Sequence, residues 1–281
     1  MEYSGIDLHC HSTVSDGVLT PTQLAQRAYE NGATLWSLTD HDEVGGQAEA
    51  RQAALALGMN YITGIEISVT WLNKTVHIVG LHFDPENMAL RNGLQKIRDD
   101  RVSRAHVMAA RLEDFGVKNA FEGALALAGN PDLLSRTHFA RYMVEQGHCK
   151  HMQEVFDRYL GDGKPAYIPG AWATLLEAVT WITEAGGTAV IAHPGRYKYS
   201  SSEFSTLFHS FKLMGGTAIE VVTGSHKPEQ YHQYANVAKH YGFFASCGSD
   251  FHGPNESKMD VGKVPELPLG LTPVWEQWLD D

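Results

Sequence analysis

Short apolar runs alternate with segments of helical period at both ends of the chain. Residues 5–11, 34–39, 60–70 and 75–82 read as strands, with residues 23–30 and 43–57 as helices among them. The first helix carries a start signal, with Thr20 as N-cap, Pro21 at the first helical position and Gln23 three residues after the cap; Gly32 stops it. The second is rich in alanine and closes at Gly58. Downstream, residues 174–185, 203–214 and 229–240 have helical period, while 188–192, 217–222 and 243–246 are buried-strand runs. Seven strands alternating mainly with helices predict an α/β fold with parallel pairing through crossover connections.

Between residues 82 and 169 the alternation lapses. Residues 87–115 form a charged helical stretch, and 120–128, 137–146 and 152–159 read as further helices. The expected organisation is a barrel unit made of residues 1–98 and 168–281, with 99–167 as a helical insertion domain over its mouth, a place from which insertions shape substrate access. The stretch from Pro254, with Pro265, Pro268 and Pro273, reads as a wrapping tail.

The predicted strands share a chemical feature. At or near their ends stand His9, His11, Asp16, Asp40, His41, Glu66, His77, His193, Asp250 and His252. Imidazole nitrogen and carboxylate oxygen suit divalent ions such as Zn, Mn and Fe. Ten such groups exceed what one ion needs, so the pattern predicts a metal cluster, and a metal cluster implies hydrolysis. Parallel strands deliver their C-terminal ends to one mouth, where such groups can meet. His9 and His11, two apart on a strand, point to the same side. Alone, that pair is a weak signal, because surface histidines match it by chance. His77 on an apolar strand, or His193 before a proline, is by itself more often a satisfied structural residue. The set gains its force from occurring together.

Composition narrows the partners. At 281 residues and 43% hydrophobic content the chain can fill one large α/β barrel with an insertion. A net charge of -11 argues against a broad basic surface for duplex DNA, although bound cations would reverse the sign inside one pocket. Cys10, Cys149 and Cys247 are scattered without a CxxC pair, which points to a reducing compartment. The start MEYSGIDLHCHS has no signal-peptide pattern, and no apolar run reaches the roughly 20 residues of a membrane span. A cytoplasmic protein without a membrane partner is expected; oligomeric state leaves no mark in the sequence.

The segments Ile-Asp-Leu-His-Cys-His-Ser with Ser15-Asp16-Gly17, Leu-Thr-Asp-His-Asp, Gly-Ile-Glu, Ala-His-Pro-Gly and Gly-Ser-Asp-Phe-His closely resemble, in this order, the motifs of the polymerase and histidinol phosphatase (PHP) superfamily. The resemblance implies a distorted seven-stranded (β/α)7 barrel, TIM-like, that binds two or three divalent ions. It further implies one ion held by His9, His11, Glu66 and Asp250, a second by Glu66, His77 and His193 with Glu66 bridging, and a third by Asp16, His41 and His252. Several family members have His where this chain has Asp16, which makes the third set richer in oxygen and favours Mn or Mg over Zn there. Mn is therefore the expected metal, with Zn, Fe or Mg as alternatives. Asp40 is expected beside His41 as its hydrogen-bond partner, with Asp7 and Asp42 as similar candidates or plain cap residues. Glu66, His193 and Asp250 are the expected catalytic residues of a phosphoester hydrolysis without a covalent nucleophile.

Within that family, Ser135-Arg136-Thr137-His138-Phe139-Ala140-Arg141, Gly-Lys-Pro-Ala-Tyr, Ala-His-Pro-Gly-Arg-Tyr and Gly-Ser-His resemble the subgroup that removes the 3'-phosphate of nucleoside 3',5'-bisphosphates and its relatives, the 5'-to-3' exoribonucleases called ribonuclease AM. The resemblance implies that Ser135, Arg136, Lys164, Ser225 and His226 hold a terminal 5'-phosphate and Arg196 the scissile one, with Arg104 a further contact. Each of these has a bland reading as a helix cap or surface charge. Phe139, Tyr167 or Trp172 could stack a base, though each is more often core. The expected substrate is a small nucleotide or short 5'-phosphorylated RNA. A small phosphomonoesterase of the histidinol-phosphate kind, and a metal-stabilised nucleotide-binding module without turnover, are the competing readings.

Overall fold

The structure, a computed structural model, describes residues 5–170 and 172–278; the parts of the expected barrel unit at residues 1–4, 171 and 279–281 lie outside the described residues. Strands β1 (Ile6–Asp7), β2 (Leu35–Trp36) and β3 (Asn60–Tyr61) form a parallel sheet connected by α1 (Pro21–Glu30) and α2 (Gln47–Ala56). Helix α1 starts as its sequence predicts. The Gln23 N–H donates to Thr20 Oγ1 at 3.2 Å and the Thr20 N–H donates to the Gln23 side chain at 3.0 Å, closing a capping box. Its Leu24, Ala25 and Ala28 are buried with Ala50 and Ala54 of α2.

The expected strand at 60–70 is two strands. After β3 the chain leaves the first sheet and enters a second as β4 (Gly64–Trp71), then returns at once as β5 (Lys74–Leu81), antiparallel to it. The turn residues Leu72 and Asn73 have φ of 47° and 59°, the left-handed conformation of a two-residue hairpin whose twist suits its strands. This corrects the expected parallel pairing: Leu-Asn lacks the glycine that usually announces such a turn. The order across this sheet is β6 (Ala173–Thr174), β4, β5, β7 (Thr188–Ile191), β8 (Ala218–Thr223) and β9 (Phe244–Gly248), with β5 antiparallel to both neighbours and the other pairs parallel. The fold is α/β with a mixed sheet.

Between β5 and β6 lie α3 (Met88–Asp114), α4 (Ala120–Ala126), α5 (Arg136–Glu145) and α6 (Met152–Val155), the last running into a π-helical turn at Phe156–Leu160. Helices α7 (Leu175–Glu184), α8 (Ser201–Leu213) and α9 (Pro228–Tyr241) connect the later strands, α7 and α8 starting with the capping boxes Thr174–Glu177 and Ser200–Glu203. Helix α3 serves two cores. Its Leu90, Leu94 and Ile97 pack with the sheet residues Ile65, Ile67 and Ile78, whereas Ala105, Met108 and Leu112 pack with Leu134, Phe139, Met143 and Leu160. The expected boundary at 98 thus falls inside one continuous helix. Phe139, a candidate base platform, is fully buried in the second core.

The two sheets are joined at two junctions, one between edge strands β1 and β9 and one between the segment after β2 and β4. On one side the Leu8 N–H donates to Cys247 O at 3.1 Å and the Asp250 N–H to His9 O at 2.8 Å; on the other, the Glu66 N–H donates to Asp40 O at 3.1 Å and the Asp42 N–H to Glu66 O at 2.9 Å. Gly248 permits the first approach, because a Cβ there would lie 2.6 Å from the His9 backbone nitrogen. These junctions carry residues 9–11, 40–42, 66 and 250 to one rim.

The insertion contributes a testable electrostatic feature. His138 is buried on α5, where its Nδ1 accepts from the Ser135 N–H at 3.1 Å. Burial, joined by the nearby Arg141, outweighs the pull of Asp16 and lowers the imidazole from 6.5 to about 4. A histidine depressed in the fold stabilises it fully above its unfolded value, and that stability is lost as pH falls from about 6.5 towards about 4. Between about pH 7.5 and pH 5 the loss attributable to His138 is about 2 kcal/mol. His138→Gln, which keeps an acceptor for Ser135 without titrating, should show a correspondingly smaller drop in urea-unfolding stability over that interval; an unchanged drop would assign the acid sensitivity to other groups.

Candidate metal centre

The centre is built around Glu66, a fully buried carboxylate in the interior of β4. Its two oxygens face different imidazoles. Oε1 lies 2.8 Å from His193 Nε2 and 2.9 Å from His77 Nδ1; Oε2 lies 3.2 Å from His9 Nε2, 3.3 Å from His11 Nε2 and 3.1 Å from His41 Nδ1. Strand register explains part of this convergence. Ser68 pairs with His77 across the β4–β5 ladder and Glu66 with Val79, so Glu66 and His77 stand diagonally on one face. His9 and His11, with one residue between them, bring their Nε2 atoms to 3.2 Å.

Asp250 Oδ1 lies 3.4 Å from His11 Nε2 and 3.7 Å from His9 Nε2, while Asp16 Oδ1 lies 3.4 Å from His252 Nε2 and 3.9 Å from His41 Nε2. Donor atoms within 4.8 Å of one another define three groups: His9, His11, Glu66 and Asp250; His41, Glu66 and His77; and His11, Asp16, His41 and His252. These groups hold every residue of the three expected sets except His193, which lies beside them on Glu66 Oε1 while His41 takes its place in the second group. His41 differs from expectation, because Nδ1 faces Glu66 while Nε2 faces Asp16.

The donors fit divalent cations. Buried Glu66 Oε2, Asp250 Oδ1 and Asp16 Oδ1 make no hydrogen bond although imidazole nitrogens surround them, and an unpaired buried carboxylate oxygen is costly unless a cation or donor meets it. The mixed N/O donor set suits borderline and hard ions. Burial by itself would raise the carboxylates, but histidines reverse it: His77, His9 and His41 hold Glu66 well below the usual range, and His252 and His41 do the same for Asp16. His193 moves down to about 3 through burial and then Arg196, so it is a neutral imidazole able to donate a lone pair.

Backbone strain marks the same rim. Asp42, His193 and Asp250 adopt φ of 52°, 28° and 54°, conformations that non-glycine residues keep only where their surroundings hold them. The support comes from a ring of carboxylates. Glu220, buried in β8 among apolar neighbours, accepts from His9 Nδ1 at 2.7 Å with Oε1 and from the His193 N–H at 2.5 Å with Oε2. It fixes the His9 tautomer so that Nε2 is the free donor. Sequence reading missed it; the one available signal was a single acid in an otherwise apolar strand. Asp40 does not partner His41. Its carboxylate accepts from the Ser12 N–H and hydroxyl at 2.8 and 2.6 Å and the Ser15 hydroxyl at 2.5 Å, shaping the turn that presents Asp16. Asp7 ties the Ser249 and Gly262 N–H groups at 2.9 and 2.8 Å, and Asp42 binds Ser68 and Arg101.

The expected phosphate contacts divide. Arg196 Nη1 donates to Asp250 Oδ2 at 3.0 Å with about half of its side chain exposed, at the edge of the cluster. Ser135 Oγ donates to Asp16 Oδ2 at 3.3 Å. Arg104 is buried, 4.1 Å from the ring centre of Trp172, and its Nε has no hydrogen-bond partner. Burial first, then Arg101 and Arg136, lowers it to about 9 against the opposing pull of Asp100. Arg136 donates to Leu160 O and Asp162 at 3.3 Å and lies over Tyr167. Ser225 Oγ is buried and unbonded. His226 is otherwise engaged: its Nε2 accepts from the Gly195 N–H at 2.9 Å and its Nδ1 donates to Val221 O at 3.0 Å. It shapes the turn that carries Arg196, and both ring nitrogens are taken. Lys164 stands exposed on a turn, and among the described residues no hydrogen bond or ion pair of its side chain joins it to the cluster.

A family model described as PHP domain matches residues 7–162. The chain is 47% identical over 274 residues to the 3',5'-nucleoside bisphosphate phosphatase of Chromobacterium violaceum, covering 98% of this chain and 96% of that one. It is 41% identical over 272 residues to a 5'-3' exoribonuclease of Haemophilus influenzae, with 97% and 98% coverage. A solved structure from Chromobacterium violaceum, described as an amidohydrolase with bound sulfate and no metal, is similar with a TM-score of 0.95 and 47% identity, covering 98% of this chain and 95% of that one.

Glu220 offers a direct test of this geometry. Glu220→Leu removes both bonds at similar bulk and should weaken binding of Mn about 10- to 100-fold in a calorimetric titration, with Glu220→Gln intermediate. Unchanged binding by both variants would reduce Glu220 to a packing residue.

Proposed function

The chain belongs to the PHP domain family, and from that premise we propose that it is a metal-dependent phosphoesterase that removes the 3'-phosphate from nucleoside 3',5'-bisphosphates and trims short 5'-phosphorylated RNA from the 5' end. The observation that carries the proposal is Glu66, which directs one oxygen to each of two histidine sets, as a carboxylate bridging two ions must. In this reading the barrel closes through these two junctions as a distorted seven-stranded (β/α)7 barrel, and residues 99–167 are a helical insertion over its mouth, joined to the barrel through α3. The protein works in the cytoplasm on a nucleotide or RNA end, without duplex DNA or membrane.

His9, His11, Glu66 and Asp250 would hold one ion, Glu66, His77 and His193 a second, and Asp16, His41 and His252 a third, with Mn our assignment. When bound, such ions polarise a phosphoryl oxygen and acidify the attacking water. The chain supplies the rest. Arg196, tethered to Asp250 and half exposed, reaches a non-bridging oxygen of the scissile phosphate, while Glu220 keeps His9 and His193 aimed inward. Arg104, helped by Arg136, Ser135 and Ser225, binds the 5'-phosphate, because a buried guanidinium whose Nε has no hydrogen-bond partner is satisfied by an anion. Trp172, already against Arg104, is the aromatic platform. Both reactions break a 3' phosphoester beside a 5'-phosphorylated nucleotide, so one site performs both.

Mn-loaded protein is incubated with adenosine 3',5'-bisphosphate and with matched 5'-phosphorylated and 5'-hydroxyl RNA trimers. Release of AMP and phosphate from the first, and shortening of only the phosphorylated trimer, are expected; equal rates on both trimers would refute the 5'-phosphate pocket. Asp250→Ala should lose turnover. Arg104→Met should raise KM for the bisphosphate about 10- to 100-fold with kcat little changed, the loss of a charge-assisted bond.

A further inference from the structure

Arg141 lies on α5, within the insertion, yet its guanidinium bonds to the rim of the barrel. Nε and Nη2 donate to Glu256 Oε1 and Oε2 at 2.7 Å each, and Nη2 also donates to the Asp16 carbonyl at 2.6 Å. The residue is 8% exposed, so the bidentate pair is screened little by solvent. Both partners belong to turns that carry proposed ion ligands. Asp16 is one itself. Glu256 sits in the turn after His252, where Ser257 Oγ accepts from the His252 N–H at 2.7 Å and the Glu256 N–H donates to Gly253 O at 3.2 Å. The two turns are joined by the Val18 N–H, which donates to His252 O at 2.8 Å.

Ser135, at the start of the same helix, donates to Asp16 Oδ2 and leaves Oδ1 turned towards His252 Nε2 at 3.4 Å. One helix of the insertion therefore grips both turns whose side chains have to stay together to share an ion. The other two groups hang differently. Glu66 and His77 stand on β4 and β5, and His9 and His193 are braced by Glu220 from β8. Among the described residues the side-chain hydrogen bonds of α5 to the rim go to Asp16 and Glu256, not to these residues.

We propose that Arg141 is a positioning residue that makes the Asp16–His41–His252 ion conditional on docking of the helical insertion. The inference rests on the ligand sets proposed above. Because coupling between two binding events is reciprocal, the third ion in turn holds α5 down, and the start of α5 carries Ser135 and Arg136. Occupancy of that ion and closure of the 5'-phosphate pocket then form one linked equilibrium, whereas among the described residues the other two ligand sets are not bonded to α5.

The test uses the full chain. Wild type, Arg141→Met and Glu256→Gln, which breaks the same clamp from the barrel side, are titrated with Mn by calorimetry, with bound metal measured by elemental analysis. Hydrogen exchange of residues 135–146 is followed as Mn is added. Wild type should bind three ions, with protection of 135–146 rising as the third binds. Both variants should keep two tight ions and bind the third about 10- to 100-fold more weakly, and Arg141→Lys should recover part of the loss. Three ions bound by both variants with unchanged affinity would overturn the positioning role, and exchange at 135–146 indifferent to the third ion would overturn the linkage. A wild type that binds fewer than three ions would remove the third ligand set itself, and this inference with it, a result distinct from the other two.

Discussion

A carboxylate buried in the middle of a strand is the constraint on which the rest depends. Glu66 is fully inaccessible, and among the described residues the basic groups around it are imidazoles, not lysine or arginine. Burying a charge without such compensation costs several kcal/mol. The compensating residues come from four parts of the chain, residues 9–11, 41, 77 and 193, which surround one side chain because the two sheets are joined at both junctions. The backbone bonds between Asp40, Asp42 and Glu66, and between the β1 and β9 segments, are thus as much a part of the centre as its donors.

Around the donors the fold repeats one device: an acid, buried and fully used, that holds a turn or a ring. Glu220 fixes two histidines, Asp40 the turn bearing Asp16, Asp7 the loop before Asp250, and Asp42 the junction with Arg101. The cost appears as carboxyl groups raised by burial at Asp40, Glu220 and Asp7, the last pushed up to about 6, and as positive φ at Asp42, His193 and Asp250. Strain of this kind persists only where neighbours over-determine it. A metal centre needs that rigidity, because donor positions must be set before an ion arrives.

The proposed ligands were legible in the sequence because His and Asp at the ends of apolar runs interrupt a strong pattern, and because pattern and family resemblance point to the same residues. Their supports were not. Glu220 looks like any acid in a strand until His9, far away in sequence, is seen against it. Asp40 is adjacent to His41 in sequence, but successive residues on an extended segment face opposite ways, and its carboxylate serves the serines instead. The β4–β5 hairpin escaped because Leu72-Asn73 carries no glycine, so parallel crossovers were the natural expectation. Within Ser135–Arg141, helical phase decides which arginine turns to the barrel rim and which to the 160–167 turn, and a motif read as a string does not contain that phase.

Helix α3 bears on how specificity and chemistry are joined. One half of it is cemented into the sheet core and the other into the core of the insertion, and Arg101 and Arg104 lie between these halves. A helix packed at both ends transmits displacement instead of absorbing it. Arg101 is bonded to Asp42, whose backbone is hydrogen-bonded to Glu66, so the arginines near Trp172 and the bridging carboxylate belong to one rigid train. On the proposed function, a chain with a net charge of -11 recognises a phosphorylated end without a basic surface. Its cationic groups need only be few and held at set distances from the metal rim, and for buried Arg104 the low dielectric strengthens each contact more than added surface lysines would.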